Sequence, residues 1–280
     1  MHFVLAANWF LDPIVNAIAG IINLINTPIH NLGWSLVIFA LLFKVLFWGL
    51  NTKQFKAMIN MQKIGPKLKV LQTKYAKSDP QRFQAETAAL YKESGTNPMA
   101  GCWPMLVQYP IIISVYYAVL QHKDLYAHQG WLWIGSHAAA TGPKLLGVPI
   151  LASSLGTADL VLLALYMASM YVYSRYGTMP ATDPQQAQTQ KLMAIFSPVM
   201  LGYFGFRFQW PSAMVLYWFS YNVFTMGQQF YLLKKYHQPL SALDSEHAVT
   251  DAPVALPAKS AVSTNGVPRT ASKKKKGAKK

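Results

Sequence analysis

Five long apolar runs alternate with polar segments along the chain. A helix needs about 20 apolar residues to cross the hydrocarbon core of a bilayer, and each run is close to that length. The runs predict spans at 32–50, 104–121, 158–176, 191–208 and 211–232. Gln209 and Pro211 leave room only for a tight turn between the last two. The hydrophobic pattern therefore predicts an all-α membrane protein with five transmembrane helices.

The N-terminal region 1–31 has a different pattern. Between residues 8 and 30, apolar residues alternate with Asn and Asp at helical spacing. This pattern predicts an amphipathic helix that lies in the outer membrane interface. The region has no basic residue at its start, and Asp12 interrupts its apolar stretch, so it does not match a secretory signal.

The polar segment 51–103 predicts a helical hairpin between the first two spans. Its apolar residues recur at steps of three and four and share one helical face. They are Phe55, Met58, Ile64, Leu68, Leu71 and Tyr75. Ser78-Asp79-Pro80 predicts the break before a second helix at 81–94, and Gly65-Pro66 predicts a kink in the first.

Basic residues are unevenly distributed, although the net charge is +15. Nine lie between Lys53 and Lys92 and ten follow residue 232, whereas the loop 122–157 contains only Lys123 and Lys144. Cytoplasmic loops of membrane proteins are enriched in Lys and Arg. We therefore expect the hairpin and the 177–190 loop in the cytoplasm, with the N-terminus and 122–157 outside. The segment 233–280 is predicted to be a basic, largely disordered cytoplasmic tail.

Composition and motifs argue against an enzyme. The chain is 52% hydrophobic and 12% charged, against about 25% charged in an average soluble protein. It contains no phosphate-binding Gly-Lys loop, no HExxH and no G-x-S-x-G sequence. Its single cysteine, Cys102, excludes a disulfide framework within the chain and a cysteine-cluster metal site. We predict no catalytic residue, no cofactor and no metal.

Lys44 is the charged residue of the first span. A charge inside the bilayer is costly, so such residues tend to face a polar cavity and to mark function. The alternative is snorkelling, because Lys44 lies six residues before Leu50, or roughly 9 Å along a helix. A lysine stem covers most of that distance to the headgroups. The sequence alone leaves both interpretations open.

Polar residues in two other spans are possible neighbours of Lys44. Gln108 lies in the second span, and the fifth contains Tyr217, Ser220, Asn222, Thr225, Gln228 and Gln229. Tyr217, Tyr221, Thr225 and Gln228 share one face at helical spacing. Such residues often form hydrogen bonds between helices. Together with Lys44 they favour a water-filled cavity that opens to the cytoplasm.

Four stretches resemble the YidC insertase family, which includes the mitochondrial Oxa and chloroplast Albino proteins. The first span with NTKQFKAMINMQKIGPKLKVLQTKY resembles the first core span and its hairpin. LYKESGTNPMAGCWPMLVQYPIIISVYYAV resembles the stretch that leads into the second span. TDPQQAQTQKLMAIFSPVM and WPSAMVLYWFSYNVFTMGQQ resemble the fourth and fifth spans. The likeness covers about residues 32–236 in the right order, and it is to the short forms without a large periplasmic domain.

The resemblance implies a hydrophilic groove that is open to the cytoplasm and to lipid and closed outside. The family's groove arginine falls on Lys44, so the charge is retained as a point charge in place of a planar guanidinium. With the polar positions above, the predicted substrate-binding groove comprises Lys44, Gln108, Tyr217, Trp218, Ser220 and Asn222.

The resemblance also implies a function. We expect an insertase and chaperone of the bacterial plasma membrane that takes nascent membrane proteins into the groove and releases them sideways into the lipid bilayer. No nucleotide hydrolysis is required. The Sec translocon is a further expected partner, as is the ribosome through the basic tail; no specific nucleic-acid sequence is expected. A small transporter or channel is the main alternative, although no inverted repeat is visible. A second alternative is a scaffold that assists the folding or assembly of membrane complexes.

Overall fold

The computed structural model describes residues 2–95, 97, 103–178, 181 and 184–236. Of the side chains in these ranges, those of 2–10, 103–108 and 184–186 are not described. Cys102 and the predicted tail from residue 237 onward lie outside the described residues.

The described chain is mostly helical, as the apolar pattern predicted. The helices are α1 (His2–Ile29), α2 (Leu32–Leu46), α3 (Trp48–Tyr75), α4 (Pro80–Glu93), α5 (Trp103–Gln121), α6 (Lys123–Ala127), α7 (His137–Thr141), α8 (Leu160–Val172), α9 (Pro184–Arg207) and α10 (Ser212–Lys235). A π-helical segment, Tyr173–Gly177, continues α8. The strands β1 (Lys144–Leu145) and β2 (Val148–Pro149) pair antiparallel, with Leu145 opposite Val148.

A helix that crosses a membrane alone must be both long enough and apolar enough. In the described part of the chain, no helix meets these requirements alone. The pair α2 and α3, which meet at a bend of 58°, meets them together, and Tyr109–Gln121 of α5 is a shorter apolar helix.

The core of the bundle lies between α2 and α10. Helix α1 covers α2 and α5, and α8 packs against the other side of α10. Leu36 and Ala40 of α2, Val119 of α5, Leu162 of α8 and Leu216 of α10 are completely buried. Helices α2 and α10 are therefore neighbours in the centre of the bundle.

Helix α9 packs against α8 through a row of small residues. Ala194, Pro198, Gly202 and Gly205 are buried at steps of four and three, and a Cβ atom at Gly202 would overlap the Met167 sulfur of α8. Small residues let two helices approach closely, as is common between helices in membranes. The remaining surface of α9 exposes large apolar side chains: Leu192, Met193, Ile195, Phe196, Val199, Met200, Tyr203, Phe204 and Phe208.

The bend at Phe47 divides the apolar run that predicts the first span at 32–50. Helix α2 ends at Leu46, and the chain turns by 58° before α3. Helix α3 also runs through Pro66, where the sequence predicted a kink. Side chains that bond to backbone carbonyls can bend a helix without proline. Here the Trp48 carbonyl accepts hydrogen bonds from Thr52 Oγ1 (2.8 Å) and Gln228 Nε2 (3.3 Å).

The first half of α3 is attached to the end of α10. Phe55 and Ile59 of α3 form a small buried cluster with Leu232 and Leu233 of α10. Farther along, α3 packs against α4, which starts with Asp79 as its cap: the Asp79 carboxylate accepts a hydrogen bond from Arg82 N at 3.0 Å.

Candidate functional site: a cavity beside Lys44

One end of the bundle is covered by residues 122–157, which we call the cap. The cap is attached to the helix starts by backbone hydrogen bonds. Ser212 N donates to Thr157 O (2.8 Å) and Ala213 N donates to Leu155 O (2.9 Å). Because these bonds satisfy the first N–H groups of α10, which have no partner within the helix, the cap and α10 form one unit.

Asp159 joins the cap to α8. Its Oδ1 accepts from Leu162 N (2.6 Å) and caps the helix, while Oδ2 accepts from Ala152 N (2.7 Å) and from Trp133 Nε1 (3.2 Å). The residue is only 2% exposed. A buried carboxylate is costly unless hydrogen bonds compensate for its lost hydration. Three donors do so here, and each also connects a different segment of the chain.

Close aromatic packing completes the cap. Trp131 packs edge to face against Trp34 of α2, with ring centroids 5.6 Å apart, and a Cβ atom at Gly33 would lie 2.5 Å from the Trp131 side chain. Tyr126 of α6 is buried beneath, and this burial raises the pKa of its phenol to about 12. The cap end of the bundle is therefore tightly packed.

Lys44 lies toward the other end of the bundle and points at α10. Its side chain is 4% exposed. The ammonium Nζ donates a hydrogen bond to Thr225 Oγ1 at 3.1 Å and lies 5.1 Å from the centroid of the Tyr221 ring. The Thr225 hydroxyl in turn donates to Tyr221 O at 2.7 Å. An ammonium group has three donors, so Lys44 retains capacity to bind an acceptor.

A cavity of about 400 Å³ lies beside Lys44. Its walls come from α2, α3, α5, α10 and the π-helical segment. The lining residues are Lys44, Asn51, Gln54, Phe55, Met58, Tyr109, Ile112, Tyr173, Gly177, Thr178, Tyr221, Thr225, Gln228, Gln229 and Leu232. Amides and hydroxyls contribute to this lining, together with aromatic rings and the apolar side chains of Met58, Ile112 and Leu232. Lys44 is its charged member, and none of these residues is acidic.

Gln228 forms the second polar contact between α10 and the α2–α3 bend. It is 4% exposed, and it lies one helical turn beyond Thr225. Its Nε2 donates to Trp48 O at 3.3 Å, and its Oε1 accepts from Asn51 Nδ2 at 3.5 Å. Helix α10 therefore contacts α2 through Thr225 and the first turn of α3 through Gln228.

The π-helical segment also contributes to the cavity wall. Tyr173 and Gly177 line the cavity, and a Cβ atom at Gly177 would lie 2.7 Å from the Tyr173 ring. Glycine at this position therefore gives the Tyr173 ring room beside the cavity. Single-turn π-helices occur frequently at functional sites.

Comparison with known proteins identifies the group to which the chain is related. The sequence model described as "60Kd inner membrane protein" matches residues 24–239. The chain belongs to this family. The resemblance to the YidC insertase family stated from the sequence is confirmed, because relatives are named YidC and ALBINO3-like.

Three relatives illustrate the family likeness. The chain is 35% identical over 214 residues to "Inner membrane ALBINO3-like protein 2, chloroplastic" of Chlamydomonas reinhardtii, covering 72% of this chain and 50% of that protein. It is 37% identical over 205 residues to "Membrane protein insertase YidC" of Leptospira interrogans, covering 72% and 31%. It is 34% identical over 227 residues to the Syntrophus aciditrophicus protein of the same name, covering 81% and 37%. The chain thus spans half or less of the length of these relatives.

A solved structure supports the fold. The crystal structure titled "Active YidC insertase crystal structure with the first transmembrane domain resolved" aligns with a TM-score of 0.55 at 19% identity. The alignment covers 79% of this chain and 46% of the other. The helical fold of this chain is therefore similar to that of the YidC insertase in that structure.

The predicted groove residues are distributed over three environments. Lys44 lines the cavity. Tyr217 is 1% exposed, and its ring lies 5.8 Å from that of Phe39 in the core. The other groove residues that the sequence predicted in the fifth span also lie outside the cavity lining. Trp218 packs against Trp210 at 5.0 Å, Ser220 is buried, and Asn222 has a buried Oδ1 that finds no hydrogen-bond partner among the described residues. For Gln108 the structure describes the helical backbone but no side chain.

Other lining residues were visible in the sequence without being assigned to the groove. Tyr221, Thr225 and Gln228 continue the polar face that begins at Tyr217, at steps of four, four and three. The cavity lies at the later part of this face. No sequence pattern predicted that Asn51 and Tyr173 would line the cavity. Each does so only because its helix packs beside helices that are distant in sequence.

Proposed function

We propose that this chain acts as a membrane protein insertase: it accepts segments of nascent membrane proteins in the cavity beside Lys44 and releases them sideways into the lipid bilayer. The buried Lys44 ammonium beside an acid-free cavity, whose lining contains amides and hydroxyls among apolar side chains, carries the proposal. Membership of the 60Kd inner membrane protein family supports it, since relatives in Leptospira and Syntrophus are named membrane protein insertases. Because the chain matches only part of those relatives, its activity, clients and partners belong to the proposal.

The proposed membrane arrangement follows the distribution of charge and apolar surface. Five spans run within α2–α3, α5, α8, α9 and α10, with α1 in the outer interface. The cap lies outside and the basic α3–α4 hairpin lies in the cytoplasm of a bacterial cell. The exposed apolar face of α9 supports contact with lipid, because soluble surfaces rarely carry so large a patch. The Sec translocon and the ribosome remain predicted partners.

The cavity lowers the cost of moving a polar flank across the membrane. An unpaired amide or hydroxyl group costs roughly 4–8 kcal/mol on transfer from water to hydrocarbon. The amides of Asn51, Gln54 and Gln229 and the Thr225 hydroxyl offer partners partway through the bilayer. The dry part of the path is then limited to the cap end of the bundle.

Lys44 attracts acidic groups in the translocated flank. The described lining contains no carboxylate that would neutralise the ammonium, and Thr225 Oγ1 and the Tyr221 ring are neutral contacts. A client carboxylate that enters the cavity therefore gains a charge-assisted hydrogen bond. Burial of the client's apolar helix in lipid then drives release, and no nucleotide is consumed.

The test is insertion of single-span clients into liposomes that contain the purified protein and no other translocon. Two clients differ only in the charge of the translocated flank, which is acidic in one and neutral in the other. Lys44→Met should lower insertion of the acidic client by roughly five- to tenfold relative to the neutral one, which corresponds to about 1–1.4 kcal/mol. Lys44→Arg should retain the preference because the charge is kept.

Thr225→Asp is a second, independent variant. It places a carboxylate where the Lys44 ammonium already has its partner, so the internal pair should remove the preference for acidic flanks while leaving Lys44 in place. Equal insertion of both clients by the wild type and by Lys44→Met would contradict the electrostatic role. Protein-dependent uptake of a radiolabelled solute without client insertion would favour a transporter instead.

A further inference from the structure

The bend between α2 and α3 occurs without a proline. Phe47 ends α2 and precedes α3, and no side chain caps the first turn of α3. The Trp48 carbonyl accepts from Thr52 Oγ1 within α3 and from Gln228 Nε2 of α10. A side chain that enters the hydrogen-bond ladder of a helix bends it. Gln228 is the contributor that comes from another helix.

Gln228 is well placed to fix this bend. Its amide is buried, so its hydrogen bonds do not compete with bulk water and are costly to lose. The donor side of the amide contacts the first residue of α3 and the acceptor side contacts Asn51, one turn later. Two contacts one helical turn apart restrain the direction of α3 as well as its distance from α10.

The direction of α3 determines the shape of the cavity. Asn51, Gln54 and Met58 of α3 line the cavity, together with Tyr173 and Thr178. The apolar cluster around Phe55 and Leu233 keeps α3 beside α10 but consists of non-directional contacts. The hydrogen bonds of Gln228 therefore supply the directional restraint.

We propose that Gln228 is a positioning residue: it holds the first turn of α3 at the angle that keeps the cavity wall in place. The proposal rests on the cavity as the client site, but the position of α3 is measurable without any client. A change of about 10° in the bend would move Gln72, roughly 37 Å along the helix from Phe47, by about 6 Å.

The experiment measures the distance between spin labels at Gln72→Cys on α3 and Leu165→Cys on α8, in the full chain with Cys102→Ser in nanodiscs. Both labelled positions are exposed. Gln228→Met retains the side-chain length and removes both hydrogen bonds. We expect the distance distribution to broaden and its mean to shift by several Å, with insertion of a test client slowed roughly threefold. Gly227→Ala is the control, since a Cβ atom there meets nothing within 4 Å, and should change neither result.

Asn51→Leu gives a milder variant in case Gln228→Met does not fold. It should produce a smaller shift in the same direction, and the double variant should shift no more than Gln228→Met alone, because both act through one network. An unchanged distance distribution in Gln228→Met would overturn the proposal, as would additive shifts in the double variant. If the distances shift but no variant or wild type inserts clients, the positioning role stands and the proposed function fails.

Discussion

The cap and the cavity each bury one charged side chain, and they treat it in opposite ways. Asp159 is 2% exposed and accepts three hydrogen bonds, two of them from backbone N–H groups. Lys44 is 4% exposed and donates one hydrogen bond to a hydroxyl group beside an aromatic ring. A buried charge with all its partners in the fold stabilises the fold, whereas one with spare capacity is available to a ligand. Burial alone does not distinguish a structural charge from one that is available to a ligand. The number of hydrogen-bond partners within the fold does.

The largest effect that the comparison predicts is at Asp159. Asp159→Ala should destabilise the protein by about 3–5 kcal/mol, because Ala152 N, Leu162 N and the Trp133 indole lose their acceptor while buried. Thermal unfolding in detergent micelles measures the loss. Asp159→Asn, which retains an acceptor for Leu162 N, should lose less.

The control for Asp159 is Asp124→Ala on α6, which is exposed and should change the free energy of unfolding by less than about 0.5 kcal/mol. Equal stability of the Asp159 and Asp124 variants would show that the cap does not depend on its buried carboxylate.

A second prediction tests how tightly the cap is packed. Gly33→Ala places a Cβ atom 2.5 Å from Trp131, so the indole or the α2 backbone must move. We expect a loss of about 1–3 kcal/mol and faster proteolysis within 122–157. Gly20→Ala on α1 is the matched change, since nothing lies within 4 Å of its added Cβ. If the two variants resist unfolding and proteolysis equally, the cap is looser than its geometry indicates.

The smallest predicted change in stability is at Lys44. Lys44→Met removes a desolvated charge that has few partners, so the free energy of unfolding should change by no more than about 1 kcal/mol, and stabilisation is the expected direction. The same variant should impair the insertion of acidic clients. Stability–function trade-offs of this kind are common at functional sites. A strongly destabilised Lys44→Met variant would place Lys44 with Asp159 among the structural charges.

The sequence predicted the helices better than their connections. Apolar periodicity over tens of residues is a local signal, and it indicated a mostly helical membrane protein and a buried lysine near polar residues of the last span. The break between α3 and α4 was equally local, since Asp79 and Pro80 together terminate one helix and start another.

The bend, the cap and the cavity lining needed information that no local pattern contains. At the Phe47 bend, the Trp48 carbonyl is contacted by Gln228, which is 180 residues away in the sequence. Asp159 is a recognisable helix cap, but its bonds to Ala152 and Trp133 depend on the path of an irregular loop. On α10, a polar face at helical spacing does not show where along the helix a cavity opens. The position of Phe39 and Asn51 in the folded bundle determines that Tyr217 packs in the core whereas Gln228 lines the cavity.

The central pairing of α2 with α10 has a consequence for the order of events during synthesis. Lys44 and Thr225 are 181 residues apart, and a ribosome adds about 5–20 residues per second. In the proposed membrane arrangement, a growing copy of this protein therefore contains, for roughly 10–35 s, a lysine in the bilayer whose partner has not yet been translated. Until α10 arrives, the nascent chain presents the kind of unpaired charge in the bilayer that an insertase handles in other proteins, so each new copy is itself a demanding client.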